Sequence, residues 1–402
     1  MSIISRKIQT KQLDYSNLVY NIAYVLIVIK AFYAYSDLVA PHRTQLILNI
    51  CNLLLLGLLM YKMVFLQRYS IKNVVLLGLL GLITFYTDRQ VYMFMMLPDF
   101  LLIAATQDVD FRKTISIVYK LEAAIIGLHV AVYPLFYFFN RSAVRFSIRG
   151  SDVSRPRHQF LLSHANIFSM LLLWTILGYL YVNYEKLNKK KIILAWLTYV
   201  ATYMFTKSNS GLLILSAITI LLMAKNILGD KVDGLVDFLA RYLYFILIIV
   251  FDLLMVSFSS LSGPARDIWF KIDDFFTGRP RYGAFAFYKA GFTLFGQHIP
   301  FSGKELWSGM WFDSAACDNA YMWMSVSYGL FYLLLIAFLF WRYAPKATFP
   351  EKIIFIAYSL YTMMELYVTY MYFCFAVIIV GQYIWDDINK VLIRNKKDNG
   401  RE

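Results

Sequence analysis

The feature that most constrains this chain is its series of apolar stretches, several of which continue for about 18 or more residues almost without charge. Hydrophobic residues make up 60% of the 402 residues and charged residues 16%, against roughly 45–50% and 25% in ordinary globular domains. A soluble protein of this size could not bury so much apolar surface. The sequence therefore predicts an all-α, polytopic integral membrane protein.

The formal net charge of +14 does not indicate a nucleic-acid partner, because the lysines and arginines are scattered between the apolar stretches instead of forming one stripe. That scatter is how a membrane chain sets its topology. The cysteines Cys51, Cys317 and Cys374 share no metal-ligand spacing, so free thiols are the simplest expectation. No cleavage site follows the polar N-terminal segment, and the first span should remain as an anchor.

Charged or turn-rich gaps divide the chain into ten clear spans and one longer apolar stretch. The predicted spans lie near residues 17–35, 44–66, 72–87, 91–106, 115–139, 159–183, 191–206, 210–224, 241–258 and 320–341. The last stretch, residues 353–385, would be about 50 Å long as one helix, more than a roughly 30 Å hydrocarbon core requires. It is either one long tilted helix or a tight hairpin.

Basic residues decide the orientation. With a cytoplasmic N-terminus, the inner segments between spans carry three or four lysines or arginines each, whereas the short outer loops 36–43, 88–90 and 207–209 carry one each. The C-terminal tail is also basic and should be inside, which requires an even number of spans; its basic residues are Lys390, Arg394, Lys396, Lys397 and Arg401. We therefore predict twelve spans, within a range of ten to twelve, with Glu365 at the outer turn of a final hairpin.

Residues 1–402 are expected to form one membrane domain in which two outer segments break the low-charge pattern: a basic loop, 140–158, and a large polar loop, 259–319. The first carries five arginines and no lysine, namely Arg141, Arg145, Arg149, Arg155 and Arg157. Guanidinium groups bind phosphate in bidentate fashion, so outward arginines at a membrane surface favour a lipid-linked phosphate or pyrophosphate. A solvated basic loop on anionic headgroups is the alternative.

Two polar motifs at the outer ends of mid-chain spans could carry chemistry. The first contains Arg157, His164 and Asn166, and a helix over 159–183 would align Gln159, Ser163 and Asn166 in one stripe, with His164 about one and a half turns inside. A packing role for His164 is the alternative. The second is the turn 206–211, with Lys207 and Ser208, which could also be a plain hairpin of turn-forming residues.

Two further motifs lie in the large loop. One contains Gly278, Arg279 and Arg281, where two arginines flank a proline after a flexible glycine. The other is Asp318-Asn319 followed by Tyr321, at the return to the membrane. Asp-Asn before a helix could be only an N-cap, but a carboxylate beside outward arginines is also a candidate general base.

In this order and spacing, the four motifs resemble those of the oligosaccharide repeat-unit polymerases of capsule and exopolysaccharide assembly, the Wzy type, which are related to the O-antigen ligases. The family has an Arg followed by a His-Pro-Asn-like motif, then a Thr-x-Ser-Arg-like turn, a Gly-Arg and an Asp-Asn-x-Tyr. The matching positions are Arg157 with His164 and Asn166, Thr206 with Ser208, Gly278 with Arg279, and Asp318 and Asn319 with Tyr321. The resemblance covers about half of the chain, from residue 157 to Glu365, and departs at Ala165, where the family has proline, and at Asn209, where an arginine is common.

The resemblance implies a glycosyltransferase C-like fold and an enzyme on the outer face of a bacterial cytoplasmic membrane. Such an enzyme moves a growing glycan from undecaprenyl pyrophosphate to an incoming lipid-linked unit, without a nucleotide sugar, metal or other cofactor. Arg157 and Arg279, supported by Arg281, would hold the pyrophosphate, and either His164 or Asp318 would deprotonate the acceptor hydroxyl. The residues expected to bind or orient the substrate are Asn166, Lys207, Ser208, Asn319, Tyr321 and Glu365. Membrane lipid, a flippase and a chain-length regulator are the expected partners.

Two alternatives remain open at this point. An O-antigen ligase would differ from a polymerase only in its acceptor, which these residues do not specify. A lipid-linked oligosaccharide flippase would be expected to have two similar halves and charged residues within its spans, and the sequence contains no visible repeat.

Overall fold

The structure is a computed structural model that describes residues 3–39, 44–92, 96–141, 144, 146–149 and 152–398. Arg145 and Arg401 lie outside the described residues, as do the side chains of six other basic residues named above: Arg149, Arg155, Lys390, Arg394, Lys396 and Lys397. The described chain is mostly helical, as the composition predicts.

Fifteen α-helices and four short strands form within the described residues. The helices are α1 (Ile3–Tyr35), α2 (Gln45–Tyr61), α3 (Ile71–Val91), α4 (Met96–Ala104), α5 (Phe111–Phe139), α6 (Ala165–Val182), α7 (Lys189–Thr206), α8 (Asn209–Leu228), α9 (Asp233–Ser257), α10 (Gly263–Phe275), α11 (Arg279–Ala290), α12 (Ala320–Trp323), α13 (Leu330–Tyr343), α14 (Phe349–Thr362) and α15 (Ala376–Asp398). Strands β1 (Phe146–Arg149) and β2 (Asp152–His158) form one antiparallel hairpin, and β3 (Glu305–Trp307) and β4 (Met310–Phe312) form another.

Six helical segments of the described chain are long and apolar enough to cross a membrane, which identifies a helical membrane protein. They are Asp14–Tyr35, Gln45–Leu66, Ile71–Val91, Phe111–Phe139, Ala165–Val182 and Asn209–Ser257, the last containing both α8 and α9. Some of the other predicted spans fall on shorter helices. For example, α4 has 9 residues and a length of about 14 Å, about half of a hydrocarbon core.

The chain divides into two compact units. The first unit contains Met1–Ser70, Leu101–Val232 and Tyr372–Glu402, and the second contains Ile71–Phe100 and Asp233–Met371. In the first unit α6 packs against α5, α7 and α8. Within its apolar window α6 is 83% buried, against 17–44% for the other candidate spans, so α6 is the central helix of this unit.

In the second unit the central helix is α9, which packs against α11, α12, α13 and α14. The predicted span 320–341 is interrupted there. A π-helical turn, Met324–Tyr328, follows α12, and Gly329 then adopts a φ of +109° before α13 begins. A side chain at Gly329 would overlap the backbone of Leu294, so this break depends on glycine.

One predicted helix start is wrong. The helix expected over 159–183 begins only at Ala165, because Phe160 and Leu161 adopt left-handed φ angles of 50° and 60° and turn the chain first. Gln159 and Ser163 therefore precede the helix, and they form no helical stripe with Asn166.

The apolar stretch 353–385 is not one helix. It is divided into α14 and α15, and Glu365 lies in the connection between them, next to a single 3₁₀ turn, Leu366–Thr369. The expected long loop 259–319 is likewise largely folded, since it contains α10, α11 and the β3–β4 hairpin.

Close packing of α7 on α8 depends on Gly211, because a Cβ at this position would overlap the ring and hydroxyl of Tyr199. We expect Gly211→Ala to destabilise the protein by about 1–3 kcal/mol through overpacking. Thermal unfolding of the purified protein, followed by size-exclusion chromatography, measures the effect. Gly57→Ala is the matched control, since a Cβ at Gly57 in α2 meets nothing within 4 Å. A Gly211→Ala melting temperature equal to or above that of Gly57→Ala would contradict the close contact.

Candidate functional site

The first candidate cluster lies in the first unit and is centred on Arg157, near the end of β2. The Arg157 side chain is buried, with 9% of the residue exposed. Its Nε donates to the carbonyl oxygen of Thr206 at 2.8 Å, and its Nη2 donates to Oδ1 of Asn166 at 2.5 Å. Thr206 is the last residue of α7, and Asn166 lies in the first turn of α6. A single guanidinium therefore joins β2, α6 and the end of α7.

The segment between β2 and α6 is held by the end of α1. The backbone N–H of Asp37 donates to the carbonyl of Leu161 at 2.8 Å, and the N–H of Ser163 donates to the carbonyl of Tyr35 at 2.8 Å. Left-handed backbone at a non-glycine residue costs about 1–2 kcal/mol, and Leu161 and its neighbour Phe160 both adopt it. These contacts fix the path of the chain into His164.

His164 is the N-cap of α6 and not a residue inside a span, so its predicted depth is wrong. It has extended backbone angles, φ −157° and ψ 146°, and its Nδ1 accepts a hydrogen bond from the N–H of Asn166 at 3.1 Å. This bond requires Nδ1 to be the unprotonated nitrogen of the imidazole. The side chain is half-buried. This hydrogen bond caps the start of α6, and the capping role accounts for the position of His164.

The tight turn between α7 and α8 brings Ser208 to the same cluster. Ser208 is buried, and its hydroxyl donates to Oδ1 of Asn166 at 3.4 Å. Lys207 forms the corner with a left-handed φ of 51°, and its ammonium lies 5.7 Å from the centroid of the Tyr203 ring. Asn166 thus accepts from both an arginine and a serine, while Lys207 makes a cation–π contact.

His158 is a neighbour that the sequence did not single out. Its Nδ1 is paired with the hydroxyl of Tyr133 at 2.5 Å, and its ring contacts Phe146 and Phe205 edge-on. Burial lowers the pKa of His158 below its ordinary value, so the ring is neutral at neutral pH. The signal that could have identified His158 is its place in the sequence, directly after Arg157.

The second candidate cluster lies in the second unit and consists of Arg279, Asp318 and Glu365. Nη2 of Arg279 lies 3.2 Å from Oε1 of Glu365 and 3.9 Å from Oδ2 of Asp318. The exposed fractions of the three side chains are 12% for Arg279, 4% for Glu365 and 64% for Asp318. One guanidinium therefore lies between a buried carboxylate and an exposed one.

The rest of the Arg279 guanidinium is partly engaged by the turn that precedes α11. Its Nη1 donates to the carbonyl of Phe276 at 3.2 Å and to the hydroxyl of Thr277 at 2.5 Å. Its Nε is buried and has no hydrogen-bond partner among the residues that the structure describes. Gly278, at a φ of +84°, makes the turn that places Arg279 at the start of α11.

Arg281 does not join this cluster. Its Nε binds Oδ2 of Asp273 at 2.5 Å, its backbone N–H binds Oδ1 of Asp273 at 2.8 Å, and its Nη2 lies 3.1 Å from Asp274. Asp273 is fully buried, and burial raises the pKa of its carboxyl although the bonds and charge of Arg281 act in the opposite direction. The two carboxylates converge on Arg281, which fastens α10 to α11.

Asn319 and Tyr321 are engaged in packing. Asn319 is the N-cap of α12: its Oδ1 accepts from the N–H of Met322 at 3.1 Å, and its Nδ2 donates to the carbonyl of Met363 at 2.9 Å. The buried hydroxyl of Tyr321 donates to the carbonyl of Ser359 at 2.9 Å. These contacts favour structural roles. Burial also raises the pKa of the nearby Cys317 thiol to about 12, which keeps it protonated and unreactive.

The structure thus assembles two clusters from the predicted residues, one in each unit. The first contains Arg157, His164, Asn166 and Ser208, and the second contains Arg279, Asp318 and Glu365. Both contain a guanidinium group, and the second adds an exposed carboxylate. In the described part of the chain, His, Cys, Asp and Glu side chains form no group of three or more that could hold a metal ion.

The contacts of Arg281 predict that two variants, Arg281→Ala and Asp274→Ala, lose different amounts of stability. Arg281→Ala should destabilise the protein by about 3 kcal/mol, because it leaves the Asp273 carboxylate buried without its partner. Asp274→Ala removes a bond to the same guanidinium, but Asp274 is 75% exposed, so the loss should stay below about 1 kcal/mol. Thermal unfolding of the two variants gives the comparison. Equal losses would show that burial of Asp273 does not control the pair.

Comparison of the chain with models of protein families, with curated proteins and with solved structures finds no match. The case for a function therefore depends on the two clusters and on the motifs that supply their residues.

Proposed function

We propose that this chain is a membrane glycosyltransferase of the Wzy type. It would join undecaprenyl-pyrophosphate-linked repeat units into capsular polysaccharide or exopolysaccharide on the outer face of a bacterial cytoplasmic membrane. The observation that carries the proposal is the second cluster, in which Arg279 lies between buried Glu365 and exposed Asp318. All three belong to the part of the sequence that resembles this family.

The chemistry of transfer requires what this cluster offers. A pyrophosphate leaving group gains negative charge as the glycosidic bond breaks, and fixed positive charge stabilises it. Glu365 holds the Arg279 guanidinium in place, and the 3.9 Å separation from Asp318 is longer than a hydrogen bond. A phosphate oxygen can therefore bind Arg279 without breaking the buried ion pair.

Asp318 is the better candidate for the group that receives the proton of the acceptor hydroxyl. A general base must lie within hydrogen-bond reach of that hydroxyl, and 64% of the Asp318 side chain is exposed. His164 uses the lone pair of Nδ1 to cap α6, and in the neutral ring Nε2 then carries the proton, so the imidazole has no free lone pair for a base while the cap is intact. We therefore assign the role to Asp318 and treat His164 as its competitor.

Arg157 is proposed as a second anion-binding group. Its guanidinium donates to the carbonyl of Thr206 and to the amide oxygen of Asn166, and these bonds hold it in a fixed position. Asn166 fixes its orientation, and the hydroxyl of Ser208 donates to the same amide oxygen.

The proposal includes the topology predicted from the basic residues: twelve spans in a glycosyltransferase C-like arrangement with both termini inside. In this orientation the segments that carry both clusters belong to the outer side, where lipid-linked units are polymerised. The membrane character of the chain supports this arrangement, since six segments already satisfy the length and hydropathy of spans. A flippase and a chain-length regulator are the proposed partners.

The electrostatic part of the proposal predicts that Arg157→Lys and Arg279→Lys each reduce polymer formation by about 10²-fold, the usual cost of losing one charge-stabilising donor. A lysine keeps the charge but loses the planar fork. The assay supplies purified lipid-linked repeat units to membranes that contain equal amounts of each variant.

The matched control is Arg141→Lys, because Arg141 is exposed and its guanidinium contacts the Tyr137 ring. It should leave polymer formation unchanged. Normal polymer from both Arg157→Lys and Arg279→Lys would refute bidentate phosphate binding. Glycan found on an acceptor other than a lipid-linked repeat unit would indicate a ligase.

The base assignment predicts opposite results for two conservative variants. Asp318→Asn keeps the shape of the side chain but removes its basicity, and it should slow elongation by about 10²- to 10⁴-fold. His164→Ser keeps an N-cap of comparable strength and should elongate at the normal rate if His164 only caps α6. The measurement is the rate at which single units are converted to polymer. Normal elongation by Asp318→Asn with loss in His164→Ser would move the base to His164.

A further inference from the structure

Helix α10 has an exposed apolar ridge opposite its buried face. Its buried face contains Trp269 and Asp273, which are 2% and 0% exposed. Pro264, Ile268 and Phe275 follow one another at i, i+4 and i+11, so they share the opposite side of the helix. Ile268 is 59% exposed and Phe275 is 68% exposed. This ridge has no place in the core of the second unit.

The depth of α10 is fixed by its contact with the end of α9, part of a candidate membrane span. Nε1 of Trp269 donates to the carbonyl of Leu254 at 2.9 Å, and the Trp269 ring packs on Phe258 with centroids 4.6 Å apart. Leu254 lies three residues before the end of α9 at Ser257, a distance of about 4.5 Å along the helix. The middle of α10 therefore lies level with the last turn of a span.

At this level α9 itself exposes apolar side chains. Leu253, next to Leu254, is 63% exposed, and Val250, one turn earlier, is 43% exposed. On a membrane span such residues face lipid. The ridge of α10 lies at the same depth and is also apolar. We therefore expect lipid to cover it as well.

The charges of α10 define the kind of contact. Arg266 is engaged by neighbouring side chains: its Nη2 donates to the hydroxyl of Ser308 at 3.0 Å, and its guanidinium lies over the Phe258 ring. Lys271 on the ridge is flanked by the exposed residues Asp267 and Asp274. With no excess of positive charge on this surface, hydrophobic burial and not attraction to anionic headgroups would hold the helix.

We propose that α10 lies in the membrane interface and inserts Ile268 and Phe275 into the headgroup and acyl-chain boundary of the leaflet in which α9 ends. Interfacial helices bury their apolar side in this region by about 5–10 Å. The ridge then anchors α10, and with it α11, whose first residue is Arg279. The proposal does not depend on the reaction that the chain catalyses.

Spin labels at three positions test the proposal in the full-length protein. Ile268→Cys, Phe275→Cys and the control Asp267→Cys are each made in a Cys51→Ala background, since Cys317 and Cys374 are buried. The unsubstituted background should take up no label. The proteins are reconstituted into phosphatidylcholine vesicles, with and without added phosphatidylglycerol, and collisions of the label with oxygen and with a water-soluble nickel chelate are measured.

For labels at 268 and 275 we expect severalfold more collisions with oxygen than with the nickel chelate, and the reverse at 267, in both kinds of vesicle. Nickel collisions at 268 and 275 as frequent as at 267 would place the ridge in water and overturn the proposal. Low collision rates with both reagents would indicate a covering protein surface, such as a second copy of the chain, and would overturn it as well.

Discussion

Every backbone N–H and C=O group that enters a bilayer must be hydrogen-bonded within the protein, and the placement of the candidate residues follows from this constraint. Inside a helix the backbone groups bond to one another and meet this constraint, so polar side chains that could take part in chemistry lie at helix ends. His164 is the N-cap of α6, Lys207 is the C-cap of α7, Arg279 begins α11 and Asn319 caps α12. The same residues that terminate helices are therefore the ones that can face a polar substrate.

Arg157 and Arg279 each bond to the end of a helix in the same way. Arg157 donates to the carbonyl of Thr206, the last residue of α7, and Arg279 donates to the carbonyl of Phe276, the C-cap of α10. The last carbonyls of a helix have no partner within it and carry the negative end of the helix dipole. A guanidinium at this place bonds to a carbonyl at the negative end of the helix and is itself stabilised, which offsets part of the cost of burying its charge.

The sequence predicts helix positions well where apolar length alone decides them, as for α2, α3 and α5. It fails at α6, since no glycine or proline marks the left-handed residues Phe160 and Leu161, and tertiary bonds to α1 hold that turn. The division of 353–385 at Glu365 could be predicted, but from the basic C-terminal tail, which requires an even number of spans, and not from a helix-breaking residue. No proline or glycine lies between Lys352 and Val380, and Glu365 is the only charged residue there.

Within the site, the sequence could predict that arginines gather near the membrane surface but not which of them are available. Arg279 and Arg281 are two residues apart, yet only Arg279 faces Asp318, because the turn at Gly278 brings Asp273 under Arg281. The pairing links positions eight residues apart across that turn. Spacing along the chain does not predict this pairing, and nothing in the sequence indicates that Asp273 is fully buried.

The first unit is discontinuous, and this has a consequence for how the protein is made. Its final segment supplies bonds to parts synthesised far earlier: Tyr24 donates to the carbonyl of Tyr372 at 2.6 Å, and Trp385 donates to the carbonyl of Ala104 at 3.1 Å. A ribosome completes the second unit before it releases α15, so the first unit must wait in the membrane with these groups unpaired. Because of this order of translation, α15 completes the first unit after the second unit has been made.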